Sequence, residues 1–152
     1  MRQFRILRAG IFLPPFHSND EDPLLCMERD FQLMQWLDML NYAEAWIGEH
    51  HSGGYEIYGQ PELFIATAAE RTRHIRLGTG VISLPYHHPF MVADRIVQLD
   101  YQTRGRAMFG FWRHPISRYR PLIPTAARWR PAGAALVWSA TTCRSRWIPT
   151  IT

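Results

Sequence analysis

A chain of 152 residues has room for one domain of ordinary size, and a hydrophobic content of 47% is enough to fill a core. It contains no run of about 18 apolar residues, which argues against a membrane-spanning helix. The formal net charge of +4 hides a division: all 13 acidic residues lie at or before Asp100, so the chain is −3 up to Gly110 and +7 beyond it, with no lysine anywhere.

The first segment, "MRQFRILRAGIFLPPFH", is basic and then briefly apolar. It ends in two prolines and lacks a small-residue cleavage site, so it reads as a strand over 9–14 and not as a secretory leader. Asp22-Pro23 has the form of a helix N-cap followed by proline in the first turn. Leu33, Trp36, Leu37 and Leu40 recur at three- and four-residue spacing and predict one face of that helix. "EAWIG" is a second strand, over 43–48. Pro61 opens a second helix, "PELFIATAAERTR", with Phe64 and Ala68 on one face and arginines in its last turn. A third strand, "IRLGTGVISL", covers 75–83. Pro89 opens a third helix with Val92, Ile96 and Leu99 on one stripe, and Gly105 caps its end. "RAMFGF", at 106–111, is a fourth strand. Cys26 and Cys143 form no framework spacing and are expected to be free thiols of a reducing cytoplasm.

Successive strands start about 30 residues apart, the length of a βαβ unit. Apolar, non-alternating strands between amphipathic helices imply a parallel sheet. Either a doubly wound sheet or a (β/α)8 barrel satisfies this pattern. The absence of G-x-G-x-x-G after the first strand lowers the dinucleotide-binding version of the former. In a barrel the chemistry gathers at the C-terminal ends of the strands, where "PPFH", "GEHHSGG" and "SLPYHHP" fall.

Glu49, His50 and His51 end the second strand. Adjacent histidines on an extended chain point different ways, so they suit a general base, a polar clamp or a hydrogen-bonded triad better than a shared metal. No metal ligand set is expected. His17, His87 and His88 follow the first and third strands, as loop or capping histidines or as members of the site. The two glycines of "LGTGV" weaken a strand interior; they mark either close approach of a ligand or a bulge. Gly110 repeats the pattern on the fourth strand. Tyr55, Tyr58 and Tyr86 either line a pocket or cover the barrel mouth. Arg71, Arg73 and Arg76 read as a solvated helix end and strand start.

Taken together, "GIFLPPFH", "EAWIGEHHS" and "PELFIATAAERTRHIRLGTGVISLPYHHPFMVADRIVQLDYQTRGRAMFG" resemble the bacterial luciferase-like flavin monooxygenases, nearest to the limonene- and alkanal-monooxygenase-like enzymes. The resemblance covers residues 10 to 110. It implies the first four strands and three helices of a (β/α)8 barrel, within a domain segment 1–111. It also implies reduced FMN from a separate flavin reductase, O2 as co-substrate, a small organic substrate and an oligomeric habit. On the residues, it implies that His50 serves flavin and oxygen chemistry, with Glu49 and His51 as its support. Thr79 and Gly80 match the segment that packs a non-prolyl cis peptide beneath the flavin ring. His88 and Gly110 match further cofactor-binding positions.

The resemblance stops at residue 111. The segment 112–152 holds seven arginines, five prolines and no acid. A basic, tryptophan-bearing tail suits a non-enzymatic module that contacts nucleic acid. The competing expectation is an out-of-frame tail that follows a frameshift near Gly110 to Trp112. With codons chosen to suit, a slide of one nucleotide turns Thr141–Thr152 into "DDLPVTMDTDYN", which resembles a later segment of the family. On that expectation the tail is irregular, nucleic acid is not a partner, and the chain is a fragment with little activity of its own.

Overall fold

The computed structural model describes residues 8–51 and 54–112, together with the backbone of 136–139. The element order is β1 (Gly10–Leu13), α1 (Pro23–Met39), β2 (Glu44–Ile47), α2 (Pro61–Arg71), β3 (Arg76–Ser83), a single 3-10 turn (Leu84–Tyr86), α3 (Pro89–Gln102), β4 (Ala107–Trp112) and β5 (Leu136–Ser139). Each helix starts where proline pre-sets the first turn. At α1 the Asp22 carboxylate also accepts the Leu24 N–H at 2.8 Å. The 14-residue α3 ends in a Schellman turn. Arg104, at φ 59°, takes the left-handed position, and the Gly105 N–H reaches the Asp100 carbonyl. Gly105 therefore sits one residue beyond the expected cap. Asn41, at φ 61°, closes α1 in the same way.

β1 to β4 pair in chain order and all in parallel, with Leu13 opposite Ile47, Ile47 opposite Thr79 and Thr79 opposite Phe109. A doubly wound sheet reverses strand order at a switch point; consecutive order is that of a barrel wall. The core lies between one sheet face and the three helices. Ala45, Ile47, Leu77 and Ala107 meet Phe31, Met34, Leu37, Phe64, Ile65, Ala68 and Leu99 there. The stripe expected on α1 is partly corrected. Leu37 is buried and Leu33 half-buried, but Trp36 and Leu40 are exposed. The buried face runs instead through Cys26, Asp30, Phe31, Met34 and Asp38. Two carboxylates on that face made the polar side look like the wrong one.

The other sheet face carries Phe12, Trp46, Gly78 and Gly80. The Trp46 ring fills the space over Gly78, where an added Cβ would lie 2.5 Å from it. The β3–β4 register shifts between Thr79 and Ile82, so the glycine pair does accompany a bulge. The Gly80–Val81 peptide is cis.

β5 pairs antiparallel with β4, Val137 opposite Gly110. β5 lies in the apolar stretch of the tail, covers the open edge of β4 and satisfies its backbone groups there. It is not a further parallel barrel strand. The expectations for the remaining tail, including contacts of Trp129 and Trp147 and of the Trp138 side chain, lie outside the described residues.

Candidate active site

Parallel strands bring the loops after β1, β2 and β3 to one end of the sheet. Glu49 is the hub. Its carboxylate is fully buried and accepts the Ser83 N–H at 3.2 Å from each oxygen, which ties the loop after β2 to the end of β3. His51 Nε2 lies 2.8 Å from Glu49 Oε1. His87 Nε2, also buried, lies 3.4 Å from Glu49 Oε2 but out of hydrogen-bond alignment. Behind His87, the Arg95 guanidinium donates to Nδ1 at 3.2 Å. A guanidinium can only donate, so the proton of a neutral His87 is on Nε2 and faces Glu49.

The donor atoms of Glu49, His51 and His87 lie within 4.8 Å of one another, a spacing that a divalent cation could use. Metal-ligating histidines donate their second ring N–H to an acceptor; His87 meets a cation there instead. Glu49 and His51 form a hydrogen-bonded pair, with His87 in ion-pair range of the same carboxylate.

His50 points away from this cluster. Its Nδ1 lies 2.5 Å from Glu56 Oε2, and its side chain is 52% exposed. His17 is set deeper. Its Nδ1 lies 2.8 Å from the Pro15 carbonyl and its Nε2 3.0 Å from Asp30 Oδ2. The Tyr58 hydroxyl donates to the same Asp30 oxygen at 2.7 Å. Burial first, and then this bond to Asp30, push the Tyr58 phenol well up from its ordinary pKa. His17, Asp30 and Tyr58 thus clamp the loops after β1 and β2 together behind the exposed histidine.

Of the residues singled out from sequence, Glu49, His50, His51 and Gly80 share the strand-end face. Thr79 lies beside them but is fully buried, and its hydroxyl is engaged with Gly110, donating to the carbonyl at 2.9 Å and accepting the N–H at 3.1 Å. Gly110 has no room for a side chain, since a Cβ would come 2.3 Å from the Thr79 carbonyl oxygen. His88 is the exposed N-cap residue of α3 and makes no side-chain capping bond. The member of that pair within the site is His87. The residue before proline is extended, so adjacent histidines face opposite ways, and sequence does not say which faces Glu49. Of the tyrosines, Tyr58 is buried, Tyr55 stacks on Phe16, and Tyr86 sets its ring edgewise to His51. Arg71 pairs with Glu28 and lies over the Phe31 ring, so it is more than a solvated helix end. Arg76 pairs with Glu44.

The open sheet face carries aromatic side chains around a glycine. Phe12, 57% exposed, and Trp46 flank Gly80. Two surface hollows, of 510 and 380 Å³, open elsewhere and include neither Glu49, His50, His51 nor Gly80. No described helix is long and apolar enough to cross a membrane.

Residues 7–114 match the model of the luciferase-like monooxygenase family. The chain is 63% identical over 101 residues to 4-hydroxyprotoasukamycin monooxygenase of Streptomyces nodosus subsp. asukaensis, covering 66% of this chain and 27% of that protein. It is 56% identical over 101 residues to limonene 1,2-monooxygenase of Rhodococcus erythropolis, covering 66% and 26%. Among solved structures, it resembles the oxygenating constituent of 3,6-diketocamphane monooxygenase from Pseudomonas putida, in complex with FMN. There the TM-score is 0.65 at 26% identity, covering 68% of this chain and 29% of the other. The chain thus spans about a quarter of the length of the curated relatives named here.

Proposed function

Because the chain belongs to the luciferase-like monooxygenase family, we propose that it carries the strand-end histidine site of a flavin-dependent monooxygenase. The observation that supports this best is Glu49, His50 and His51 at the C-terminal end of β2, beside Gly80 on an open aromatic sheet face. The cofactor is FMN, reduced by a separate flavin reductase, and the substrates are O2 and a small organic molecule. When bound, the reduced flavin supplies the two electrons with which one oxygen atom enters the substrate and the other leaves as water.

The roles of the chain's own residues follow from their chemistry. His50, the exposed histidine, holds or moves a proton at its ring nitrogen beside the flavin. Glu49 and His51 keep the loop under His50 in place. Gly80, Phe12 and Trp46 form the floor under the ring, and Thr79 and Gly110 fix that floor through their mutual hydrogen bonds. His88 contacts the cofactor from the rim. The surroundings are a reducing cytoplasm, which suits the free, buried thiol of Cys26.

We further propose that the 152-residue chain alone binds FMN weakly and turns over little, as a barrel segment 1–111 followed by an out-of-frame tail. Family members complete the FMN phosphate site from later strands. Titration of FMN fluorescence against the purified chain tests both parts. Weak, saturable quenching that Gly80→Leu abolishes is expected. Quenching that never saturates would count against the flavin floor. Stoichiometric FMN retained through gel filtration would overturn the proposed inactivity.

A further inference from the structure

We propose that Glu56 is the positioning residue of His50, holding its imidazole in the Nδ1–H form and leaving Nε2 to accept a proton. This deepens, and rests on, the reading that His50 serves the flavin and oxygen chemistry. The two adjacent histidines have separate carboxylates: His51 turns to Glu49 and His50 to Glu56.

Three backbone contacts fix Glu56. Phe16 and Glu56 form an isolated antiparallel bridge. The His17 N–H donates to the Tyr55 carbonyl at 2.8 Å, and the His50 N–H donates to the Tyr58 carbonyl at 3.0 Å. The return limb of the loop is thereby held between the loop after β1 and the histidine itself. The Glu56 side chain is 7% exposed, against 52% for His50. A buried carboxylate needs a partner, and among the described residues His50 Nδ1 is the cation-forming group facing it. A carboxylate without a proton only accepts, so Nδ1 carries hydrogen. In neutral histidine the lone pair then belongs to Nε2, because the partner held at one ring nitrogen decides the state of the other. Free histidine in water favours the opposite tautomer, so the carboxylate has a definite effect to produce. The arrangement presents one fixed, proton-accepting nitrogen on the exposed side of a loop whose return limb is held.

The test uses the full chain labelled with 15N in its histidine rings. His50 is assigned with His50→Gln, and ring-nitrogen shifts are read at a pH where the rings are neutral. Expected for the wild type is His50 with Nδ1 protonated and Nε2 bare. Glu56→Gln, whose amide oxygen still accepts, should retain that form. Glu56→Ala should move most of the population to Nε2–H, with the His51 and His87 signals in place. A wild-type His50 already in the Nε2–H form, or one unmoved by Glu56→Ala, would overturn the proposal. If Glu56→Ala loses its circular dichroism, the wild-type and Glu56→Gln spectra still decide. None of these readouts needs flavin. A failed FMN titration would therefore count against the flavin reading and leave the dyad standing, and a wrong tautomer would do the reverse.

Discussion

Asp38 shows what single residues contribute outside the chemistry. It lies in the last turn of α1, where the helix dipole opposes an acid. Its carboxylate accepts the N–H groups of Arg73, His74 and Ile75 at 3.0, 2.9 and 2.8 Å, and so caps the turn that enters β3. Burial pushes its carboxyl up, but the three backbone bonds outweigh burial and hold it below the ordinary carboxylate value. Stability from a depressed acid is fully present above the unfolded value, about 3.9, and is lost as pH falls through the lower folded value. Asp38→Ala should therefore lower unfolding free energy near neutrality by roughly 2–4 kcal/mol, since three N–H groups lose their acceptor. It should also reduce the acid-dependent loss of stability below about pH 4, and urea titrations over a pH series would measure both effects. Glu49→Gln is a second case. It removes the charge that holds Ser83 and His51, and should cost about 1–3 kcal/mol. Thermal unfolding together with His51 ring shifts would check it. The sequence did carry a signal for Asp38, an acid at the wrong helix end. His87 was a candidate beside His88, but its choice over His88 was not legible, because Glu49 comes from a different strand end; Glu56 was not legible, because the loop conformation that turns it to His50 has no sequence signature.

At the scale of elements, helix starts and strand positions were legible because proline, aspartate and apolar runs act locally. Pro23, Pro61 and Pro89 each open the helix their position implied. The α1 face was not legible, because Asp30 and Asp38 are buried by partners the helix cannot see from its own residues. The glycine-bearing strands show the same limit. Their spacing announced either a ligand or a bulge, and the space over Gly78 and Gly110 is taken by Trp46 and by the β3 backbone. Gly110→Ala should therefore pry β4 from β3. A Cβ at 2.3 Å from a backbone oxygen cannot be relieved by a rotamer change, and a loss of about 3 kcal/mol or more, or failure to fold, is expected. Ala107→Gly, on the same strand but in the ordinary core, should cost only about 1 kcal/mol. Chemical denaturation of the two variants side by side would expose the difference.

On the scale of the whole molecule, β4 has β5 along its edge, whereas β1 has no described strand on its far side. Phe12 is exposed on that edge strand. Such edges invite pairing with other chains, so the purified chain should self-associate as concentration rises. Phe12→Lys should suppress this in light scattering; unchanged scattering would mean the edge is not the cause. The parallel order was legible from the 30-residue rhythm, and the end of the sheet that carries the histidines followed from it. The same order leaves an opposite end, where the left-handed helix stops at Asn41 and Arg104 face away from Glu49. That end is a natural point of attachment. A fluorophore or surface linker on a cysteine placed at Arg104 would tether the molecule with its histidine loops facing free solution, so that encounters at those loops could be watched on single immobilised chains.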